Sequence, residues 1–438
     1  MAVEIEKMGK PAVAIVSNRF VEPAKTKARK SGMPNARLVF VPHPVSGKTP
    51  DQHRAYVAGK DPATGKPLME EIIDGLSKPL SDDDKKTGFV ETKPAPRLIG
   101  PETPDNLQRL FMARGWTDYL PIALPTEQKV KDMLRGTSRA PDEWVGKMAG
   151  GEFEPWQFTV EQVAVNAVMA GAKPDYFPVI LAIAAAGIPS LYDSPHSLVR
   201  AVVVNGPVRE EIGMNSEIGA MGPFSQANAT IGRAWTLISR NLANAGIAGE
   251  TYTGSQGNSL NFNNIVIAEN EARSPWAPLS VQKGFKAGES VVSIFCGLGI
   301  HAGQGGKRGS AAKPAFDRQI ASILETFTSY FGALVVCDPL AAKDLKAQGY
   351  DTKEKLSEWL CKTSTLTAAD YREQSFFELL GTSKAPAKPA SKAPPAQRVA
   401  RFASPQDINI VVTGGETLAV FQAGNLKYLT SIAVDKWR

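Results

Sequence analysis

Apolar and polar positions follow two rhythms along the chain, one of strands and one of helices. KPAVAIVSNRF (10–20) is a short apolar run that predicts a buried strand. VEPAKTKARKSG (21–32) has Pro near its start and Gly after its end and predicts a helix. ARLVFVPHP (36–44) predicts a second strand, stopped by prolines. Strand, helix and strand at this spacing form a βαβ unit, the seed of a parallel sheet. Residues 46–66 read as a loop, and PLMEEIIDGLSKPL (67–80) as an amphipathic helix. Further on, TVEQVAVNAVMAGA (159–172) and DYFPVILAIAAAG (175–187) predict a helical pair, and ANATIGRAWTLISRNLANAG (227–246) a long helix. Strand-like runs cover 198–206, 263–270, 289–297 and 332–339, and two surface helices follow, LAAKDLKAQGY and TKEKLSEWLCKT. No sequence repeat is evident.

Two stretches break the rhythm. Residues 81–105 are rich in charge and proline and read as a linker. SKAPAKPASKAPPAQR, within 383–404, is a low-complexity Ala/Pro/Lys linker. The expected organisation is therefore a small α/β domain (1–80) with a βαβ core, a linker, and a main α/β domain (106–382) with a mixed or parallel sheet. A second linker and a C-terminal segment (405–438) that docks on its own or a neighbouring chain complete it. A tail that crosses between chains implies a homo-oligomer.

Composition narrows the classes. The 438 residues leave room for two or three cores, and 43% apolar with 21% charged residues is ordinary for a folded protein. The net charge of +6 comes from local runs without the basic, aromatic-interleaved face of a nucleic-acid binder, so none is expected as partner. MAVEIEKMGK lacks the apolar core of a secretory signal, and no run of about 20 apolar residues could span a bilayer. Three widely spaced cysteines suit a reducing cytoplasm and offer no structural zinc site.

Candidate chemistry lies in polar, glycine-bearing turns at strand ends, as in a crevice built from several loops. GMNSEIGAMGPFSQANATIGRAW (213–235) places Asn215 and Ser216 in a loop and Asn228, Thr230 and Arg233 at a helix start, where free N–H groups favour an anion. The plainer alternative is that Asn228 caps the helix. Glu269 and Glu271, at a strand end, could bind a metal or divide acid and base roles, or form an ion pair with Arg273. Cys296 and His301 precede a glycine loop carrying Lys307 and Arg308, which could lower a thiol pKa; for Cys296 by itself the buried core residue is the stronger reading. Glu416 sits in the polar turn TGGET (413–417), and His43, between prolines, is expected to be structural.

GWTDYLPIALPTEQKVKDML (115–134), EQVAVNAVMAGAKPDYFPVILA (161–182), VVNGPVREEIGMNSEIGAMGPFSQANATIGRA (203–234) and AENEARSPWAPLSVQKGF (268–285) resemble successive blocks of the UGSC family. That family is named for a selenocysteine- or cysteine-Gly-Ser-Cys motif, and the resemblance implies thiol- or selenol-based chemistry. It extends over roughly residues 10–80 and 106–361. The motif, expected before KPAVAIVSNRF, does not occur in the 438 residues. Tyr119 stands where the family usually has glycine, and AGETYTGSQGNSLNFNN (248–264) lacks a family histidine.

Two readings follow. One is an enzyme or catalytic subunit acting on a small polar or anionic molecule, by redox or C–heteroatom cleavage of lyase or reductase type. In it Asn215, Ser216, Asn228, Thr230, Arg233 and Glu416 bind substrate, and Glu269, Glu271, Cys296 and His301 carry the chemistry, with a metal on Glu269, Glu271 and His301 as an option. The other is a non-catalytic substrate-binding or scaffold subunit whose partner chain bears the thiol or selenol.

Overall fold

The computed structural model describes residues 2–45, 47–79, 97–151, 155–303, 315–328, 330–374 and 393–438. Near the N-terminus, β1 (Ala14–Ser17) and β2 (Leu38–Val41) pair in parallel across the helix Val21–Lys30, the βαβ unit expected from the sequence. Val39, Val41 and Leu68 form its core, covered by Val13, Tyr56, Val57 and Ile72. The segment read as a loop contains a helix, Pro50–Ala58. Its apolar period is absent because no residue of it is buried. Its start signal is nevertheless present in TPDQ, where Thr49 and Gln52 form a reciprocal capping box around Pro50. The helix Leu68–Ser77 follows as expected.

The rest is organised by one sheet. A short hairpin of β3 (Trp144–Met148) and β4 (Trp156–Thr159) leads into the helices Val160–Met169 and Phe177–Ala185. Then come β5 (Val199–Asn205), β6 (Ile265–Ala268), β7 (Val291–Ala302) and β8 (Ala333–Cys337). The short pair β9 (Thr365–Thr367) and β10 (Arg398–Ala400) precedes β11 (Ile408–Val412) and β12 (Phe421–Ala433). Six of these strands form a mixed sheet in the order β11-β8-β12-β7-β5-β6. Pairing is parallel at its flanks, β5 with β6 and β8 with β11, and antiparallel through the middle.

The sheet curls until its edges meet. Just past the C-terminal end of β6, Asn270 N–H donates to the Val412 carbonyl at 2.7 Å. Thr413, just past β11, returns a hydroxyl bond to the Ala268 carbonyl at 3.0 Å. Strand alternation then sorts side chains into an inner and an outer set. All six strands contribute to one inner cluster, with Val203, Ile267, Phe295, Val336, Val411 and Leu426 among its members. Outward-facing Val202, Val266 and Ile294 pack against the helices Val160–Met169, Phe177–Ala185 and Gln226–Leu242. On the other flank Val335, Ile410 and Ala423 pack against Phe316–Leu324, Pro339–Ala347 and Lys353–Thr363.

A repeat invisible in the sequence governs this topology. β5, β6 and β7 make a parallel pair followed by a third strand antiparallel to the first, and β8, β11 and β12 do the same. The halves are related by a two-fold passing between β7 and β12. The segment expected to dock after a linker therefore belongs to the sheet itself: β12 lies at its centre and docks on its own chain. At the seam, a Cβ on Gly297 of β7 would collide with the Asn425 carbonyl of β12. Gly297→Ala is expected to destabilise the fold by about 1–3 kcal/mol, as overpacked interiors do, read by urea denaturation. Truncation before residue 405 removes the central strand, and the remaining chain is expected to show no cooperative thermal transition by circular dichroism.

Candidate functional site

The edge closure gathers the C-terminal ends of β5, β6, β8 and β11, where the sequence places most of its polar turns. Glu269 immediately follows β6 and is completely buried. Its carboxylate pairs with Lys353 Nζ at 2.6 Å, itself 1% exposed. It also accepts from Asn205 Nδ2 at 2.7 Å, from the Leu279 N–H at 2.8 Å and from the Val412 N–H at 3.4 Å. Glu271 accepts from the same Asn205 amide at 3.0 Å and from the Gly206 N–H at 2.8 Å, and pairs with Arg209 Nη2 at 3.2 Å. The two carboxylates converge as expected, but through one shared amide. Their cations are Lys353 and Arg209, not Arg273, which pairs with Glu416.

These partners occupy the acceptor positions of both carboxylates. Four donors meet Glu269, Lys353 and the Val412 N–H at Oε1 and Asn205 and the Leu279 N–H at Oε2, which matches the roughly four acceptor sites of a carboxylate. The unsatisfied atom nearby is Asn205 Oδ1, buried and without a hydrogen-bond donor.

The glycine-rich loop is built differently from the expectation. Ser225, not Asn228, caps the helix Gln226–Leu242. Asn228 is buried and spends its amide on the carbonyls of Asn215 and Val266 at 3.1 and 3.3 Å, while its oxygen accepts from the Asn215 N–H. It ties loop to strand. Asn215 folds back on the loop through Ile218 and Glu217. Ser216 acts through its carbonyl, which receives the Gly414 N–H at 2.9 Å and the Thr413 hydroxyl at 3.1 Å. Thr230 bonds the Gln226 carbonyl one turn back. Arg233 grips Asp118 with two bonds, at 2.8 and 2.9 Å, and so anchors the GWTDYLP segment. There Tyr119 adopts a positive φ of 65°, a conformation natural to glycine, and its ring is covered by Arg240 with the guanidinium 5.0 Å from the centroid.

Glu416, also at positive φ, pairs with Lys343 at 2.5 Å and Arg273 at 2.9 Å. The Lys343 bond in particular holds its carboxyl below the usual range. Around this polar rim the loop leaves apolar side chains in water: Ile218 is 67% and Phe224 72% exposed, with Met221 and Leu418 also open. Gly415 packs directly against Ile218, so loop and turn form one surface.

Cys296 and His301 lie elsewhere. Because β7 runs antiparallel to β5, Val291 sits opposite Asn205 beside the carboxylates, whereas Cys296 sits opposite Arg200 at the start of β5. At about 3.3 Å per residue, Cys296 is roughly 16 Å and His301 roughly 33 Å along the strand from that end. His301 is exposed and tilted against Phe327, with ring centroids 6.0 Å apart. Glu269, Glu271 and His301 therefore form no metal triad, and no group of three potential metal-binding side chains occurs among the described residues. Lys307 and Arg308 lie outside the described residues. Cys337 is buried in the outer core, which pushes its thiol up to about 12, and burial likewise raises Cys361. His43 accepts or donates a bond with Ser17 Oγ at 2.8 Å within the N-terminal unit.

Sequence reasoning missed Asn205, Arg209 and Lys353. Asn205, the last residue of an apolar strand, was a usable signal. Lys353 was not, since a lysine in the first turn of a charged helix reads as surface.

The UGSC family model matches residues 1–69, so the resemblance holds over the N-terminal unit; the blocks quoted from 115 onwards lie outside that match. Neither the curated proteins nor the solved structures yield a match to the chain. No helix among the described residues is long and apolar enough to cross a membrane.

Lys353→Met is expected to cost about 3–5 kcal/mol in urea denaturation, because it strands a buried carboxylate. Adding Glu269→Gln, which keeps an acceptor for the surrounding N–H groups, should restore part of that loss, giving a non-additive double-mutant cycle.

Proposed function

We propose that this chain is a binding or scaffold subunit rather than a self-sufficient catalyst, and that reactive thiol or selenol chemistry is supplied by a partner chain. The observation that carries this reading is the saturation of Glu269 and Glu271 by Lys353, Arg209, Asn205 and backbone N–H groups. General acid–base catalysis needs a group free to exchange a proton with substrate, and these two are engaged by their own fold.

The partner face in this reading is the surface of Ile218, Met221, Phe224 and Leu418 beside the charged rim of Arg273, Lys343 and Glu416. Contiguous exposed apolar side chains bordered by polar groups favour protein association. A small polar or anionic ligand held between the two chains is consistent with that rim. The enzyme reading, a lyase or reductase acting through Glu269 and Glu271, requires one of them to give up its partners.

Native mass spectrometry of the protein purified from its own cells tests the proposal. The expected species is a complex with a second polypeptide carrying a Cys- or Sec-Gly-Ser-Cys segment, and Ile218→Ser with Phe224→Ser should abolish it while leaving the melting temperature within a few degrees. A chain that turns over substrate alone, as a monomer or homo-oligomer, overturns it.

A further inference from the structure

On the inner side of the curled sheet, two nitrogen donors have no acceptor, and the function above uses neither. Lys283 follows the short helix Leu279–Gln282, which packs on β11 and β7. Its Nζ lies 4.2 Å from the centroid of the Tyr428 ring and has no hydrogen-bond or ion-pair partner among the described residues. Burial pushes this amine down, a push that Asp407 and Glu354 oppose and Lys353 assists. The second donor is Asn409 of β11, 3% exposed, with its Nδ2 atom buried and unpartnered. Ile408, Ile410 and Val412 belong to the outer core and Val411 to the inner cluster, so strand alternation turns Asn409 inward. The two donors share one space. The Leu279 and Val412 N–H groups meet on the Glu269 carboxylate, which fixes the start of the helix at the end of β11. Lys283, at the other end of the helix, is within electrostatic reach of Asp407, just before β11 begins. Asn409 lies between those two points on the face that the helix covers.

We propose that Lys283 and Asn409 form a binding site for a small aliphatic monocarboxylate, whose oxygens accept from Nζ and Nδ2 while its alkyl chain meets the apolar border of the inner cluster. Buried donors are paired in folded proteins, and each unpaired one is costly; a carboxylate supplies the missing acceptor to both. One cation and one neutral amide, with Asp407 close by, match a single negative charge and not a phosphate dianion. The way in is open, because Lys283 and three side chains bordering the inner cluster, Tyr428, Leu260 and Ile300, are partly exposed. This site lies apart from Ile218, Phe224 and the charged rim, so it does not depend on the binding-subunit reading.

The test is isothermal titration calorimetry of the full-length protein with butyrate. Saturable binding is expected, and butyramide, equal in size but uncharged, should bind about ten-fold more weakly or worse, because it forfeits the charge-assisted bond to Lys283. Lys283→Met and Asn409→Leu should each weaken butyrate binding about ten-fold or more. Asn409→Leu also removes a buried donor that lacks an acceptor, so its melting temperature should hold or rise, whereas a purely structural amide would lower it on removal. No saturable binding up to about 10 mM butyrate, equal affinity for butyrate and butyramide, or undiminished binding in either variant overturns the proposal. The comparison of the two ligands is made on the unaltered protein, so it decides the matter even where a variant fails to fold.

Discussion

The buried ion pair between Glu269 and Lys353 is the constraint on which the main sheet turns. Its two members come from opposite halves of the repeat, Glu269 from the strand that closes the first half and Lys353 from the helix that crosses to β11 in the second. Removing two charges from water is costly, and the cost is met only when both arrive in register with their hydrogen-bonding neighbours. The pair therefore reports that the edges have met correctly. Asn270, Thr413 and the Val412 backbone finish the same joint, so curling of the sheet and neutralisation of the charges are one event.

That joint also decides what the strand ends can do. In many α/β folds the crevice past the carboxyl ends of the strands receives a ligand. Here four such ends converge, yet their polar atoms are largely consumed in fastening two edges together. What remains accessible is a rim of paired charges and an apolar loop. At the opposite end a guanidinium and a buried thiol are packed together under a tyrosine ring.

Local structure was largely legible in the sequence, and long-range structure was not. Apolar runs located β1, β2, β5, β6, β7 and β8, and helical spacing located Val160–Met169 and Gln226–Leu242, because burial imposes those periods directly. The helix Pro50–Ala58 escaped because it buries nothing. The two-fold repeat escaped because its halves share topology without sharing residues: Asn205 and Glu269 in one correspond by strand register to Asp338 and Thr413 in the other. The grouping of Glu269 with Glu271 was legible from spacing. Their separation from Cys296 and His301 depended on the direction of β7, which no local pattern encodes. Asn228 and Arg233, expected to bind substrate, make hydrogen bonds within the fold, Asn228 to the loop and β6 and Arg233 to Asp118.

The seam between β7 and β12 joins residues 291–302 to residues 421–433, and this has a consequence for how the chain is made. During synthesis β7 emerges long before the strand that covers one of its two sides. Until residues 421–433 leave the ribosome, the first half presents an open edge in the middle of what will become the sheet. Such non-local pairing folds slowly and leaves strand edges available to other chains. The half-sheet that waits is a near match in topology to the half it waits for, so a second nascent copy is the natural wrong partner.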